Sequence, residues 1–254
     1  MENHRFPREV TLCLSGGAAR GAFHLGVISV LQERNIKIKA ISGASIGALI
    51  GASFASGRDA SEILEILKSR EFKKVFKFQF FKSHLFKIDI YAPVIMKLIN
   101  KETFKELGMP FEISISNIDD SKIEYRNDGD NFRELVLASC SVSPLIAPVE
   151  LHGKLLADGG IIDNFPVQRL KKFPYKIIGV NLYPCKKIRP KSIIGWMRRV
   201  VFLSWQAPNI YKKDLCDVYV SNDKLNDLKT FSFKDLDKAY ELGRESMQQA
   251  ISSY

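Results

Sequence analysis

Ser45 stands between glycines in Gly43-Ala44-Ser45-Ile46-Gly47. The Lys39–Ser42 run before it reads as a short strand, and Ile46 to Ala55 reads as a helix rich in Ala, Ile and Gly. Ser45 therefore falls on a tight strand-to-helix turn, which strains the backbone and exposes the hydroxyl for nucleophilic attack. A helix starting behind it adds partial positive charge where negative charge would develop. A second such turn lies upstream, in Ser15-Gly16-Gly17-Ala18-Ala19-Arg20-Gly21. Its glycines miss the G-x-G-x-x-G spacing, and no Lys-Ser/Thr follows for a phosphate loop. An oxyanion hole needs only two or three well-aimed N–H donors, and two successive strand-turn-helix units can bring both turns to one sheet edge. The oxyanion reading is preferred over nucleotide binding.

A serine nucleophile needs a base. The sequence has four histidines: His4, His24, His84 and His152. In the order Ser, acid, His, none follows position 152, and His152 beside Gly153 reads as a hairpin turn residue. His24 lies one turn into the first helix and reads as a packed residue, while His4 sits in a tail. This argues against a Ser-His-Asp triad and leaves an acidic side chain as the direct base. Asp158-Gly159-Gly160, with Asn164 and Pro166 after it, reads on its own as a turn following a hairpin.

The elements that must position these groups alternate between strand and helix, the pattern of an α/β fold. Val10–Leu14 reads as a buried strand with Cys13 as a packed thiol, and Ala22–Glu33 as the helix after the first glycine turn. Ser61–Arg70 is expected as one helix, Phe111–Ile118 as a half-buried strand paired with Ile123–Arg126, and Phe132–Ser139 as a helix. Glu150–Ala157 is expected as a hairpin, with Lys176–Leu182 and Val218–Ser221 as further strands. A C-terminal helix should start at Ser232 with Asp235 completing a capping box, and carry Leu236, Ala239, Tyr240, Gly243, Met247 and Ala250 along one stripe. Without repeats or a linker, residues 1–254 are expected to form one domain.

Taken in order, the Gly-Gly-x-x-Arg-Gly turn, Gly-x-Ser-x-Gly and the distant Asp-Gly-Gly make the chain resemble the patatin-like phospholipases from about Val10 to Val167. Ala138–Pro144 and Asp158–Val167 take part in the match. The resemblance implies a three-layer α/β/α fold with a mainly parallel central sheet, and hydrolysis of lipid acyl esters by a Ser–Asp dyad without metal or cofactor. It makes Ser45 the nucleophile and Asp158 its base, with the N–H groups of Gly16, Gly17 and Ala18 as oxyanion donors. Arg20 is expected to orient the loop or meet a phosphate. The family usually has a third glycine where Ala18 stands, and a positive φ there would cost energy.

The net charge of +10, with a pI near 9.4, favours anionic partners. Two stretches suit an anionic membrane surface: Phe72–Lys87, where lysines interleave with phenylalanines, and Lys186–Trp205, where Ile194, Met197, Val201 and Trp205 recur at helical spacing among basic residues. Ordinary amphipathic packing accounts for either pattern as well. Single-stranded nucleic acid would suit the first mixture, but no motif supports it and no nucleic acid is expected. Residues 1–9 lack a signal-peptide core, and no run of about 18 apolar residues exists. The expectation is a cytoplasmic protein with peripheral membrane contact, signal-less secretion staying open. Phe72–Lys105 is expected to shape the substrate pocket. Acyl preference and oligomeric state are not encoded legibly.

Overall fold

Alternation along the central strands decides how the layers form. In β1 (Glu9–Leu14), Val10, Leu12 and Leu14 join one apolar cluster while Cys13 joins another. In β2 (Lys37–Gly43), Ile41 and Ala40 divide the same way. Side chains one residue apart point to opposite faces, so a sheet buried on both faces needs cover on each. The computed structural model describes residues 5–79, 83–185 and 189–254. His4, Phe80-Phe81-Lys82 and Lys186-Lys187 lie outside the described residues, as do the side chains of Arg198, Val201 and Trp205.

The remaining elements follow in chain order. After β1 come α1 (Ala22–Glu33), β2, α2 (Ile46–Ala55), α3 (Ala60–Lys68), α4 (Arg70–Lys73), β3 (Phe76–Phe78), β4 (Phe86–Ile88) and α5 (Pro93–Leu98). Then come β5 (Phe111–Asn117), β6 (Lys122–Arg126), α6 (Phe132–Ser139), β7 (Val149–Leu151), β8 (Lys154–Asp158), β9 (Lys176–Val180), α7 (Ile193–Tyr211), β10 (Val218–Val220) and α8 (Leu236–Ser252). The sheet runs β10-β9-β1-β2-β5-β8-β7, with β6 paired to β5. Strands from β10 through β5 pair in parallel, and β6, β7 and β8 are antiparallel additions. This is the mixed α/β architecture with a mainly parallel central sheet.

The larger core lies between the sheet and α1, α2, α3, α6 and α8. The opposite face is covered by Phe165, Val167 and Leu170, with Leu215 and Cys216 packed alongside. Helices α1 and α8 approach closely: a Cβ on Gly243 would lie 2.1 Å from the Phe23 carbonyl oxygen. Glycine there lets two backbones touch.

Several boundaries fall as the sequence indicates, among them α1, α2 and α6. The hairpin turn at His152-Gly153 takes φ of 50° and 71°, the left-handed pair that suits a two-residue connection. Three expectations need correction. The single helix over 61–70 breaks at Ser69, which is extended (φ −62°, ψ 155°) and caps α4 through its hydroxyl. Ser232 caps only a short 3₁₀ turn over Phe233–Asp235, and α8 starts at Leu236 with no side-chain cap. The helix that ordinary amphipathic packing would give over Phe72–Lys87 is not formed among its described residues: α4 buries Phe72, and β3 and β4 form a separate two-stranded hairpin.

Candidate active site

Ser45 occupies the turn between β2 and α2 with φ 53° and ψ −128°, a region that L-residues rarely adopt. The turn is held from three sides. The Ser45 N–H donates to Ser139 Oγ (2.9 Å), Cys140 Sγ donates to the Ser45 carbonyl (3.1 Å), and the Ala44 N–H donates to the Leu14 carbonyl (3.2 Å). A Cβ on Gly47 would sit 2.2 Å from the Leu14 carbonyl oxygen, so glycine is what lets α2 leave the elbow so close to β1.

Asp158 ends β8, whose antiparallel register sets it opposite Ile115 of β5. Its Oδ1 accepts the Gly160 N–H at 2.7 Å, while Oδ2 is buried without a hydrogen-bond partner. Burial pushes this carboxyl up from its ordinary 3.8 to about 7, against the opposing pull of the Ser45 hydroxyl and the Gly160 amide. No hydrogen bond of strict geometry joins Ser45 to Oδ2, but the hydroxyl and the carboxyl face one small pocket. The elbow and the aspartate loop are tied through β5. Ser139 Oγ donates to the Ser114 carbonyl (2.8 Å), and Ser114 Oγ donates to the Asp163 carbonyl (3.0 Å).

The glycine turn after β1 meets the same pocket. Gly17 and Ala18 line it and Gly16 does not. The Gly16 N–H already donates to the Asn164 carbonyl (3.2 Å), whereas no backbone acceptor engages the N–H of Gly17 or Ala18 among the described residues. Ala18 takes φ 49°, the strained state anticipated for alanine in a glycine position. Arg20 is buried and reaches away from the pocket, donating to the carbonyls of Leu182 (3.3 Å) and Leu228 (3.0 Å) under the Tyr183 ring. Burial lowers its pKa. His24 is buried as well. Its Nε2–H donates to the Ser15 carbonyl (2.8 Å), and burial holds its pKa down to about 4, so the imidazole is neutral and braces the turn.

Five wall residues carried no assigned role in the sequence. Val142, Gly160 and Asn164 fall within matched segments, and Tyr183 and Phe231 lie beyond them. Asn164 is buried with its Nδ2 unpartnered. No local pattern marks Phe231, which arrives from a loop between β10 and α8. Among the described residues, the Phe72–Lys105 region does not line this pocket. It borders a separate cavity of about 840 Å³ between α3 and α5, whereas the space beside Ser45 is about 20 Å³. The larger cavity carries both acidic and basic walls and includes neither Ser45 nor Asp158. Among the described residues no His, Cys, Asp and Glu cluster could hold a metal.

An α/β sheet with a strained serine elbow and a buried aspartate on one pocket is built in the manner of a serine hydrolase. The chain belongs to the patatin-like phospholipase family, whose model matches residues 12–171. It is similar to lysophospholipase NTE1 of Coccidioides immitis, 33% identical over 183 residues, covering 67% of this chain and 11% of that protein. The Cryptococcus neoformans lysophospholipase NTE1 is 30% identical over 208 residues, covering 74% of this chain and 12% of the relative. The chain thus spans about a tenth of the length of these curated relatives. In fold it resembles VipD from Legionella pneumophila, with a TM-score of 0.66 at 15% identity over 98% of this chain and 68% of that one. The type III effector ExoU gives a TM-score of 0.53 at 14% identity, over 97% of this chain and 53% of its own.

Proposed function

We propose that this chain is a serine acyl hydrolase that cleaves fatty-acyl esters of phospholipid or lysophospholipid through Ser45 and Asp158. The observation that carries the reading is a buried carboxyl, lifted to about 7 with one oxygen unpartnered, on the same pocket as a serine strained at a strand-to-helix turn. A base matched to neutral pH draws a hydroxyl proton better than an ordinary aspartate near 3.8. Ser45 Oγ attacks the ester carbonyl as its proton passes to Asp158 Oδ2. The tetrahedral oxyanion rests on the N–H groups of Gly17 and Ala18, aided by the N-terminus of α2. Gly16, whose N–H is engaged by Asn164, positions the turn instead. The alcohol then leaves with the proton from Asp158, giving an acyl-serine. Water, deprotonated by the same carboxylate, releases the fatty acid and restores the hydroxyl.

Membership of a family named for phospholipases, and relatives named lysophospholipases, support a lipid ester as substrate. Acyl transfer to an acceptor other than water uses the same two residues, and product analysis separates the two. A fluorophosphonate probe should label the wild-type chain at Ser45 and fail on Ser45→Ala. Fatty-acid release from lysophosphatidylcholine should fall at least 10²-fold in that variant, on the scale of losing one oxyanion donor. Full release by Ser45→Ala would end the proposal.

A further inference from the structure

The apolar stripe of α7 faces outward. Ile193, Trp196, Met197 and Val200 recur at i, i+3, i+4 and i+7, and they are 80%, 54%, 65% and 61% exposed, with Ile194 beside them at 78%. A helix normally turns such a stripe to the core. Here the core is met by the other side and the far end. Phe202 packs its ring 6.1 Å from that of Tyr183, Gln206 Nε2 donates to the Pro184 carbonyl (2.6 Å), and Asn209 Nδ2 donates to Asn181 Oδ1 (2.8 Å). Lys212, just past the helix, donates to Asp163 Oδ1 at 2.5 Å. The outward stripe is thus held from behind, on a frame that includes a wall of the pocket beside Ser45, Tyr183.

Charge selects what the stripe meets. From Pro184 to Tyr211 the sequence has six Lys or Arg and no Asp or Glu, and Lys212, which follows, is already paired with Asp163. An isoleucine, tryptophan, methionine and valine face beside a purely cationic segment matches acyl chains beneath anionic headgroups. A second copy of this chain would leave that positive charge unanswered, since it brings the same sign. The flat run of large apolar side chains within the cationic stretch matches a lipid surface better than an acidic protein, whose carboxylates would face isoleucine and methionine. No helix among the described residues is long and apolar enough to cross a membrane, so the contact lies at the interface. We infer that α7 docks this protein on an anionic phospholipid surface through Ile193, Ile194, Trp196, Met197 and Val200. The inference goes beyond the acyl hydrolase reading and stands on separate residues.

The two tryptophans of the sequence, Trp196 and Trp205, both lie in α7, so selectively excited tryptophan fluorescence reports on this helix alone. The full chain carrying Ser45→Ala, which leaves vesicles intact, is mixed with vesicles of phosphatidylcholine alone or of phosphatidylcholine with an equal part of phosphatidylserine. With the mixed vesicles the emission should shift to the blue and the protein should pellet. Binding should be at least about tenfold weaker on phosphatidylcholine alone and should weaken with added salt. The double substitution Ile193→Glu/Met197→Glu should lower binding to mixed vesicles about tenfold or more. In the Ser45 background the same double substitution should leave hydrolysis of a soluble short-chain ester unchanged, which separates loss of docking from loss of fold or catalysis. An unshifted spectrum with mixed vesicles, or equal binding by the double variant, overturns the inference. So does a wild-type dimer that the double variant converts to monomer without any vesicle binding, because the stripe would then be a self-interface.

Discussion

Replacing Asp158 with asparagine should remove activity and at the same time stabilise the fold, in a pH-dependent way whose size follows from the burial of this carboxyl. In the unfolded chain Asp158 titrates near its ordinary 3.8, and in the fold at about 7. Below a pH of about 4 both states hold the proton, and ionisation costs the fold nothing. Between there and about 7 the unfolded chain has released a proton that the folded chain retains. Stability of the wild type therefore falls as pH rises, by about 1.4 kcal/mol per unit. Above about 7 both states are ionised and the accumulated cost levels off near 4 kcal/mol.

Asparagine does not titrate, keeps an oxygen for the Gly160 N–H and fills the same volume. The stability advantage of Asp158→Asn over wild type should thus grow by about 2 to 3 kcal/mol from pH 5 to pH 8. For a chain of this size that corresponds to roughly 5–10 °C in midpoint. Thermal and urea unfolding of both proteins at pH 5, 6, 7 and 8 measure the difference, and fatty-acid release is assayed on the same samples. In the wild type, kcat/KM should rise through about 7 as the carboxyl ionises. A stability difference that is the same at pH 5 and pH 8 would refute the burial argument. Retained hydrolysis by Asp158→Asn would refute the role of the carboxylate as base.

Ala18→Gly relieves a left-handed alanine and should raise stability by up to about 1 kcal/mol in urea unfolding with hydrolysis retained; Ala18→Val, β-branched at positive φ, should lose both. Gly47→Ala sets a Cβ against the Leu14 carbonyl, where backbone must move, and should cost on the order of 2 kcal/mol together with most of the ester hydrolysis. Lys212→Met leaves Asp163 buried without its cation. Burial alone would raise that carboxyl, but Lys212, Tyr125 and Gln168 together hold it below the ordinary value. Denaturant unfolding should show a loss of about 3–5 kcal/mol, and a loss under 1 kcal/mol would mean that Tyr125 and Gln168 suffice.

The sequence by itself determined the local units that carry the chemistry. Gly-x-Ser-x-Gly between an apolar run and an Ala-rich helix is legible because glycine spacing and hydrophobic period are local properties, and α1, α2 and α6 begin and end where those periods do. The turn at His152-Gly153 and the packed His24 were legible for the same reason. Tertiary structure decided what lay far apart in the chain. Which N–H groups of the glycine turn stay uncommitted depends on Asn164, more than a hundred residues away, and the height of the Asp158 pKa depends on burial that no neighbouring residue announces. The walls Tyr183 and Phe231 arrive from the second half of the chain without a motif. Likewise the spacing of Ile194 and Met197 is the same whether their face is buried or wet. Periodicity records that a helix has an apolar side, and only packing assigns that side to the core or to the outside.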